Sequence, residues 1–415
     1  MSNQVTRPVR QPRYLQDFVC AADKCIDNCC TRWQIELDKK TYERYTRHVV
    51  NGVLKPLIAN HVRRDPQNTD PARYGHIELK ADQSCPFLTI GKLCRIQKTL
   101  GADALSFICR HYPRSQTVVA GRLEQHAAMS CPEIARKILA DPQALDFSER
   151  ELPADDILPL STAIGGGDHA GMLGFYALRD AAIALVDAHA PHTEIGMFAV
   201  VMLAQSVDER VAAPGGIDGP GFPAWLTERV EILASASFAE NFARVSVDPS
   251  IPMRLLKEIV VERLAGPGGQ QTGPRYIRTI LECLRGLDYS DDDRDGSLRG
   301  YRAATAGFRD FVGAQPWVMR NIAVYDVTKN TLFAPGKPAM KQVLGLTIRY
   351  VYLRFLLTGL HALWKETFDL DRCVNAAYAF SRAIEHSPTF MTRIATLLEE
   401  QQLHGAAGMA MMLNG

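Results

Sequence analysis

The stretch VCAADKCIDNCCTRW at residues 19–33 places four cysteines, Cys20, Cys25, Cys29 and Cys30, within eleven residues. Thiolates are soft, charged ligands that repel one another and resist burial unless a cation compensates them. The segment before them, MSNQVTRPVRQPRY, carries Arg7, Arg10 and Arg13 but no apolar run, so it lacks the hydrophobic region of a signal peptide. The expected location is the cytoplasm, where a dense cysteine cluster reads as a metal site before a disulfide framework.

Eight of the ten cysteines fall in the first 131 residues, with Cys283 and Cys373 standing apart as buried small hydrophobes. After the first four come CPFL at 85–88, LCRIQ at 93–97, FICRHYPR at 107–114 and SCPEIARKIL at 130–139. Proline follows Cys85 and Cys131, fixing the backbone just beyond each sulfur and favouring sharp turns that present it. Zinc takes four ligands in a tight tetrahedron, usually from two short pairs, whereas an iron–sulfur cube takes four cysteines spread around a larger object. Adjacent Cys29 and Cys30 fit neither cleanly, since neighbouring side chains diverge, so one can bind while the other packs or serves a second centre. The candidate metal ligands are therefore Cys20, Cys25, Cys29, Cys30, Cys85, Cys94, Cys109 and Cys131, with zinc and iron–sulfur both open. No C-x-x-C pair supports thiol oxidoreductase chemistry.

Taken together, FVCAADKCIDNCCTRWQIELDKKTYERY, CPFL, LCRIQKTLGADALSFICRHYPR and SCPEIARKIL resemble the flagellin lysine-N-methylases, the FliB-type enzymes. The first part also resembles small CxxxCC domains regarded as zinc or iron chelators. The resemblance is dense over residues 14–139. It implies transfer of methyl from S-adenosylmethionine to lysines of flagellin, in an enzyme whose cysteines carry a [4Fe–4S] cluster. The alternative is a non-catalytic zinc- or iron-binding module that docks a protein partner. The radical signature C-x3-C-x2-C is not met: Cys25 and Cys29 supply the first spacing, but Arg32 stands at the third position. Nor does methylating a neutral amine need a radical. In CRHYPR, Arg110, Tyr112 and Arg114 are the candidate cofactor-binding residues, the arginines for the methionine carboxylate and the tyrosine to orient an amine. The competing reading is that these charges neutralise nearby thiolates. Trp33, Tyr42 and Tyr45 read as core packing.

A 415-residue chain, 47% hydrophobic and 22% charged, is long enough for two or three domains. The net charge of +1 hides a split: residues 1–140 hold 22 basic against 13 acidic side chains, the remainder 25 against 33. No nucleic-acid-binding spacing accompanies the basic part, so nucleic acid is not expected as a partner. The apolar run at 343–364 is broken by Arg349 and Arg354, costly in a bilayer, so no membrane span is expected.

The expected fold class is mainly α. A cysteine-rich α+β metal-binding region with short hairpins occupies 1–145, and a multi-helix domain, a platform for cofactor or substrate, occupies 146–415. WQIEL at 33–37, GHIELK at 75–80 and QTVVAGRLEQ at 116–125, turning at Ala120 and Gly121, read as strands. Apolar spacing of three and four predicts helices over 172–190, 194–212, 223–244, 252–265, 274–287, 298–313, 317–330, 338–364, 370–386 and 389–404. The glycine run IGGGDHAG at 164–171 follows no convincing strand and opens no βαβ unit, so it reads as a loop rather than a nucleotide site.

Overall fold

The computed structural model describes residues 6–415 apart from 49–51, 120–121, 155–161, 165–168, 214–215, 218, 246–252, 254–256, 263–272, 291 and 386–387. The turn at Ala120 and Gly121, residues 165–168 of IGGGDHAG and much of the 252–265 segment lie outside the described residues; contrary to the expectation of no preceding strand, the strand Thr162–Ile164 leads into the glycine run and a helix begins at His169. The strands are β1 (Thr6–Pro12), β2 (Ile35–Leu37), β3 (Val62–Arg64), β4 (Gly75–Ile77), β5 (Arg114–Val119), β6 (Arg122–Ala127), β7 (Phe147–Pro153) and β8 (Thr162–Ile164). They form two sheets, in the orders β7-β1-β6-β5-β8 and β2-β4-β3.

The smaller sheet is antiparallel, with Ile77 opposite both Ile35 and Val62. That register puts three β-favouring side chains on one face, and they join Leu37, Tyr45, Leu54, Phe87, Cys85 and Ile96 in a core of their own. The larger sheet packs differently. Val119 and Ala127 belong to the main core, together with the Pro132–Ala140 helix and the helices that follow.

The molecule is mainly α, as its apolar spacing predicts. Helices run over His169–Ala188, Thr193–Ala212, Phe222–Leu233, Ala236–Ala243, Pro274–Gly286, Arg294–Ala314, Trp317–Lys329, Ala339–Trp364, Leu370–Ile384, Pro388–Glu400 and Ala406–Asn414. The expected 223–244 helix is two, because the Ser235 hydroxyl accepts from the Phe238 N–H and starts a second one. The sequence reading has no counterpart to the last helix, which Met409 and Leu413, both fully buried, anchor in the core.

Among the described residues, Ala339–Thr367 is the helical stretch long and apolar enough to cross a bilayer, and 83% of its apolar window is buried inside the protein. Its two arginines are satisfied internally. Arg349 pairs with Asp326 at 3.1 Å, and Arg354 donates to the carbonyls of Leu413 and Met412 at 2.6 and 3.1 Å.

This central helix crosses Pro274–Gly286 at a glycine contact. A Cβ on Gly359 would stand 2.5 Å from Cys283 Sγ and 2.6 Å from its carbonyl oxygen, so the two backbones touch. Gly359→Ala is expected to cost about 1–3 kcal/mol by overpacking, seen as a lower urea midpoint at unchanged slope.

Candidate functional site

Backbone turns, rather than long secondary structure, present the cysteines. Residues 85–88 close a turn, Leu88 N–H donating to Cys85 C=O at 3.0 Å, with Pro86 at its second position. Cys94 and Cys131 are the residues just before the Arg95–Leu100 and Pro132–Ala140 helices. The N–H groups of Ile96 and Gln97 favour charge on Cys94, and those of Ile134 and Glu133 do so on Cys131. Cys85 receives the same support from Phe87 and Leu88. Cys109 sits in the short Phe107–His111 helix, whose first turn is capped by the Ser106 hydroxyl at 3.4 Å. The Cys85 N–H donates to the Cys30 carbonyl at 2.8 Å, tying the second cysteine group to the first.

The eight thiols sort into two neighbourhoods by which of them feel one another's charge. Cys30 responds to Cys29, Cys85 and Cys109; Cys109 to Cys85, Cys94 and Cys29; Cys94 to Cys29. These five form one group. Cys131 responds instead to Cys25 and Cys20, which makes a second group of three. Burial pushes Cys85 up to about 11 and Cys109 and Cys131 each to about 12, the direction expected for thiols with no cation beside them. Cys29 is the exception. The hydrogen bond from the Cys30 thiol, with the Arg382 charge, draws it down to about 7, while Cys30 as donor moves far up.

The loop between Cys25 and Arg32 is held from the far end of the sequence. Arg382 donates from Nη1 to the Asn28 carbonyl at 2.9 Å, and from Nη2 to the Thr31 carbonyl and hydroxyl at 2.9 and 2.8 Å. One turn earlier on the same helix, the Tyr378 hydroxyl donates to the Asp27 carboxylate. Arg275 donates to the Ile26 carbonyl at 2.7 Å. These bonds bracket Cys29 and Cys30 on both sides. Arg382→Gln is expected to raise amide exchange at Cys30 and Arg32 by about tenfold or more, the equivalent of one charge-assisted bond at about 1.5–3 kcal/mol. Mass-resolved hydrogen exchange reads it; unchanged exchange would mean the loop holds itself.

Where this loop meets the helices there is a cavity of about 260 Å³, walled by Asp27, Arg32, Asp82, Arg275, Tyr378 and Arg382 among others. A broader, open groove of about 1160 Å³ passes over the helix carrying Cys109 and includes Lys39, Arg44, Phe107, Arg110 and His111.

Residues 179–412, which include Arg275, Tyr378 and Arg382, match the model of the FliB lysine N-methylase C-terminal domain. The chain belongs to the FliB lysine N-methylase family. It is similar to the lysine-N-methylases of Salmonella typhimurium and Salmonella choleraesuis, each 25% identical over 91% of this chain and 92% of the relative. It is also similar to the flagellar biosynthetic protein FliU of Salmonella muenchen, 33% identical over 34% of this chain and 83% of that protein. No solved structure matches it.

In this FliB-family chain the three candidate cofactor residues are dispersed. Arg110 faces the open groove and pairs with Asp103 at 3.3 Å. Tyr112 is largely buried, its hydroxyl 3.1 Å from Ser130 Oγ and its ring edge-on to Trp33 with centroids 5.0 Å apart. Arg114 lies over the Phe18 ring at 4.9 Å and donates to the Phe18 carbonyl at 3.3 Å. None of the three is among the residues lining the cavity. Tyr45 packs as expected, fully buried with its hydroxyl on the Ala104 carbonyl at 2.7 Å.

Sequence reading missed Arg275, Tyr378 and Arg382. The i, i+4 spacing of Tyr378 and Arg382 marks one helix face, but their partners lie more than 350 residues away in the chain.

Among the described residues, no three His, Cys, Asp or Glu side chains are gathered closely enough to hold a single metal ion. A tetrahedral zinc, with Zn–S near 2.3 Å, needs its sulfurs about 3.8 Å apart. Five thiols, Cys29, Cys30, Cys85, Cys94 and Cys109, lie within electrostatic reach of one another, and backbone N–H groups directed at Cys85 and Cys94 support charge there.

Proposed function

We propose that this chain is an S-adenosylmethionine-dependent protein-lysine N-methyltransferase that modifies flagellin in the cytoplasm, before export, and carries a cysteine-ligated [4Fe–4S] cluster. The observation that carries this reading is the likeness to lysine-N-methylases across 91% of the chain. The flagellar name of the FliU relative supports flagellin as the substrate.

Cys85, Cys94 and Cys109, with Cys30 or Cys29, would hold the cluster. Bound there, it supplies the positive charge that lets buried sulfurs stand together as thiolates. The chain's own part is to place these sulfurs from turns and helix starts, and to lock residues 26–31 through Arg382, Tyr378 and Arg275. S-adenosylmethionine supplies a sulfonium methyl group. The neutral lysine nitrogen forms the new N–C bond as the C–S bond breaks, the electron pair staying on sulfur and the surplus proton leaving nitrogen. With an unperturbed pKa near 10.4, reaching that neutral amine at pH 7 costs roughly 4–5 kcal/mol, and a partly dry site lowers this cost by desolvation.

Co-expression with flagellin in a host lacking such an enzyme, followed by peptide mass spectrometry, tests the reading. Methylated flagellin lysines are expected with the intact chain and not with Cys109→Ser. Unmethylated flagellin beside soluble, intact enzyme would overturn it.

A further inference from the structure

Among the described residues, the cavity beside the cysteine loop carries one cation that the fold does not use. Arg382 and Arg275 are committed to backbone carbonyls and to Tyr378 and Asp27. Arg32 also lines the cavity, half-buried, yet among the described residues its guanidinium makes no hydrogen bond or ion pair. Its Cδ lies 4.0 Å from where a Cβ on Gly273 would stand, so the stem reaches across to the start of the Pro274–Gly286 helix.

The backbone at Arg32 is left-handed, with φ of +63°, a conformation that favours glycine. The Arg32 N–H donates to the Gln83 carbonyl at 2.9 Å, but the side chain contributes no internal bond to offset the strain. Eight other described non-glycine residues share a positive φ, so what sets Arg32 apart is its unpaired guanidinium in the cavity wall.

The opposite sign is present too. Asp82, also in the wall, accepts from the Ser84 N–H and hydroxyl and pairs loosely with Lys80 at 3.9 Å, and Asp27 accepts from Tyr378, so the cavity presents both charges within one small space. At about 260 Å³ it is smaller than the roughly 300–1,000 Å³ of sites that enclose a whole drug-sized ligand, and suits a head group. Its wall includes Asn28 and Thr31, which flank Cys29 and Cys30.

We propose that this cavity binds the α-amino-acid head group of the methyl donor, with Arg32 on its carboxylate and Asp27 and Asp82 facing its ammonium. The proposal rests on the reading of the chain as an S-adenosylmethionine-dependent methylase and locates the donor's amino-acid end within it. Arg32 is then a binding residue rather than a structural one. Guanidinium and carboxylate meet as a forked, charge-assisted pair.

The test is calorimetric titration of the anaerobically purified full chain with two probes. S-adenosylhomocysteine keeps the amino-acid head group and has no methyl to transfer; methylthioadenosine lacks the head group. Arg32→Gly removes the guanidinium at a position where glycine relaxes the backbone, so the variant is expected to melt at or above the temperature of the natural chain. S-adenosylhomocysteine is expected to bind Arg32→Gly at least tenfold more weakly, while methylthioadenosine binds both proteins alike.

Equal affinity of S-adenosylhomocysteine for both proteins would overturn the proposal, and methyl transfer retained in the variant would then leave the methylase reading standing. A natural chain that neither binds S-adenosylhomocysteine nor transfers methyl from S-adenosylmethionine would overturn both. A variant that binds neither probe would also count against it, because the loss would not be specific to the head group.

Discussion

Serine in place of Cys85, Cys94 or Cys109 is expected to strip the iron from anaerobically purified protein, from about four iron and four sulfide per chain to near none. Serine at Cys20 or Cys131 is expected to leave both counts and the brown chromophore in place. The contrast follows from the sorting of the thiols. Cys85, Cys94 and Cys109 share one neighbourhood with Cys29 and Cys30, whereas the thiols whose charge Cys131 responds to are Cys25 and Cys20. The group of five can supply four ligands; the group of three falls one short. Iron and sulfide analysis with a visible spectrum reads the result. Loss of iron in Cys131→Ser with retention in Cys109→Ser would assign the cluster to the other group. Stoichiometric zinc without sulfide would replace the cluster with a single-ion site that the loop must close upon.

The second large effect lies away from the cysteines. Arg179, on the first long helix, forms a forked pair with Glu124 of β6 at 2.7 and 2.9 Å, with side-chain exposures of 1% and 0%. The pair pins the larger sheet to the helical core. Arg179→Met leaves the buried carboxylate without its forked partner, with only the longer contact to Arg10 at 3.5 Å, and is expected to cost about 3 kcal/mol, measured as a fall in the urea-unfolding free energy. Adding Glu124→Gln should recover much of it, because the uncompensated charge is gone.

The pH dependence has a definite sign. Burial pushes Glu124 up, but the Arg179 bonds and charge, with help from His126, hold it below the ordinary carboxylate range. In the natural chain its stabilising contribution is therefore present above the unfolded carboxylate pKa and lost as pH falls through the depressed folded value. In Arg179→Met burial faces much less opposition and the carboxyl moves upward. The variant's deficit should then shrink as pH drops from about 7 to about 5, as protonation relieves the buried charge.

Helical periodicity made much of the fold legible, since a buried stripe every three or four residues is a local property. Pro274–Gly286 and Trp317–Lys329 fall within a residue of their expected bounds. What periodicity cannot show is pairing at a distance. The β1 strand TRPVRQP contains Pro8 and Pro12, which argue against a central strand, yet β6 and β7 pair with it on either side. The cysteines were legible because their density is chemically expensive. Their division was not, because Cys131 joins Cys20 and Cys25 across more than one hundred residues, while neighbouring Cys30 joins Cys85 and Cys109. The Arg382 clamp was hidden for the same reason. Arg32 stood in plain view as the residue breaking the C-x3-C-x2-C spacing, and only the fold shows that its side chain turns into a cavity beside the loop.

The central claim is that the cysteine region and the helical region act together to methylate lysine. The most direct measurement is intact-mass spectrometry of purified flagellin after incubation with the anaerobically prepared chain and S-adenosylmethionine labelled in the methyl group. The account predicts labelled methyl on flagellin lysines with the natural chain, and none with Cys85→Ser under the same conditions. Flagellin that stays unlabelled with a fully iron-loaded natural chain would contradict it.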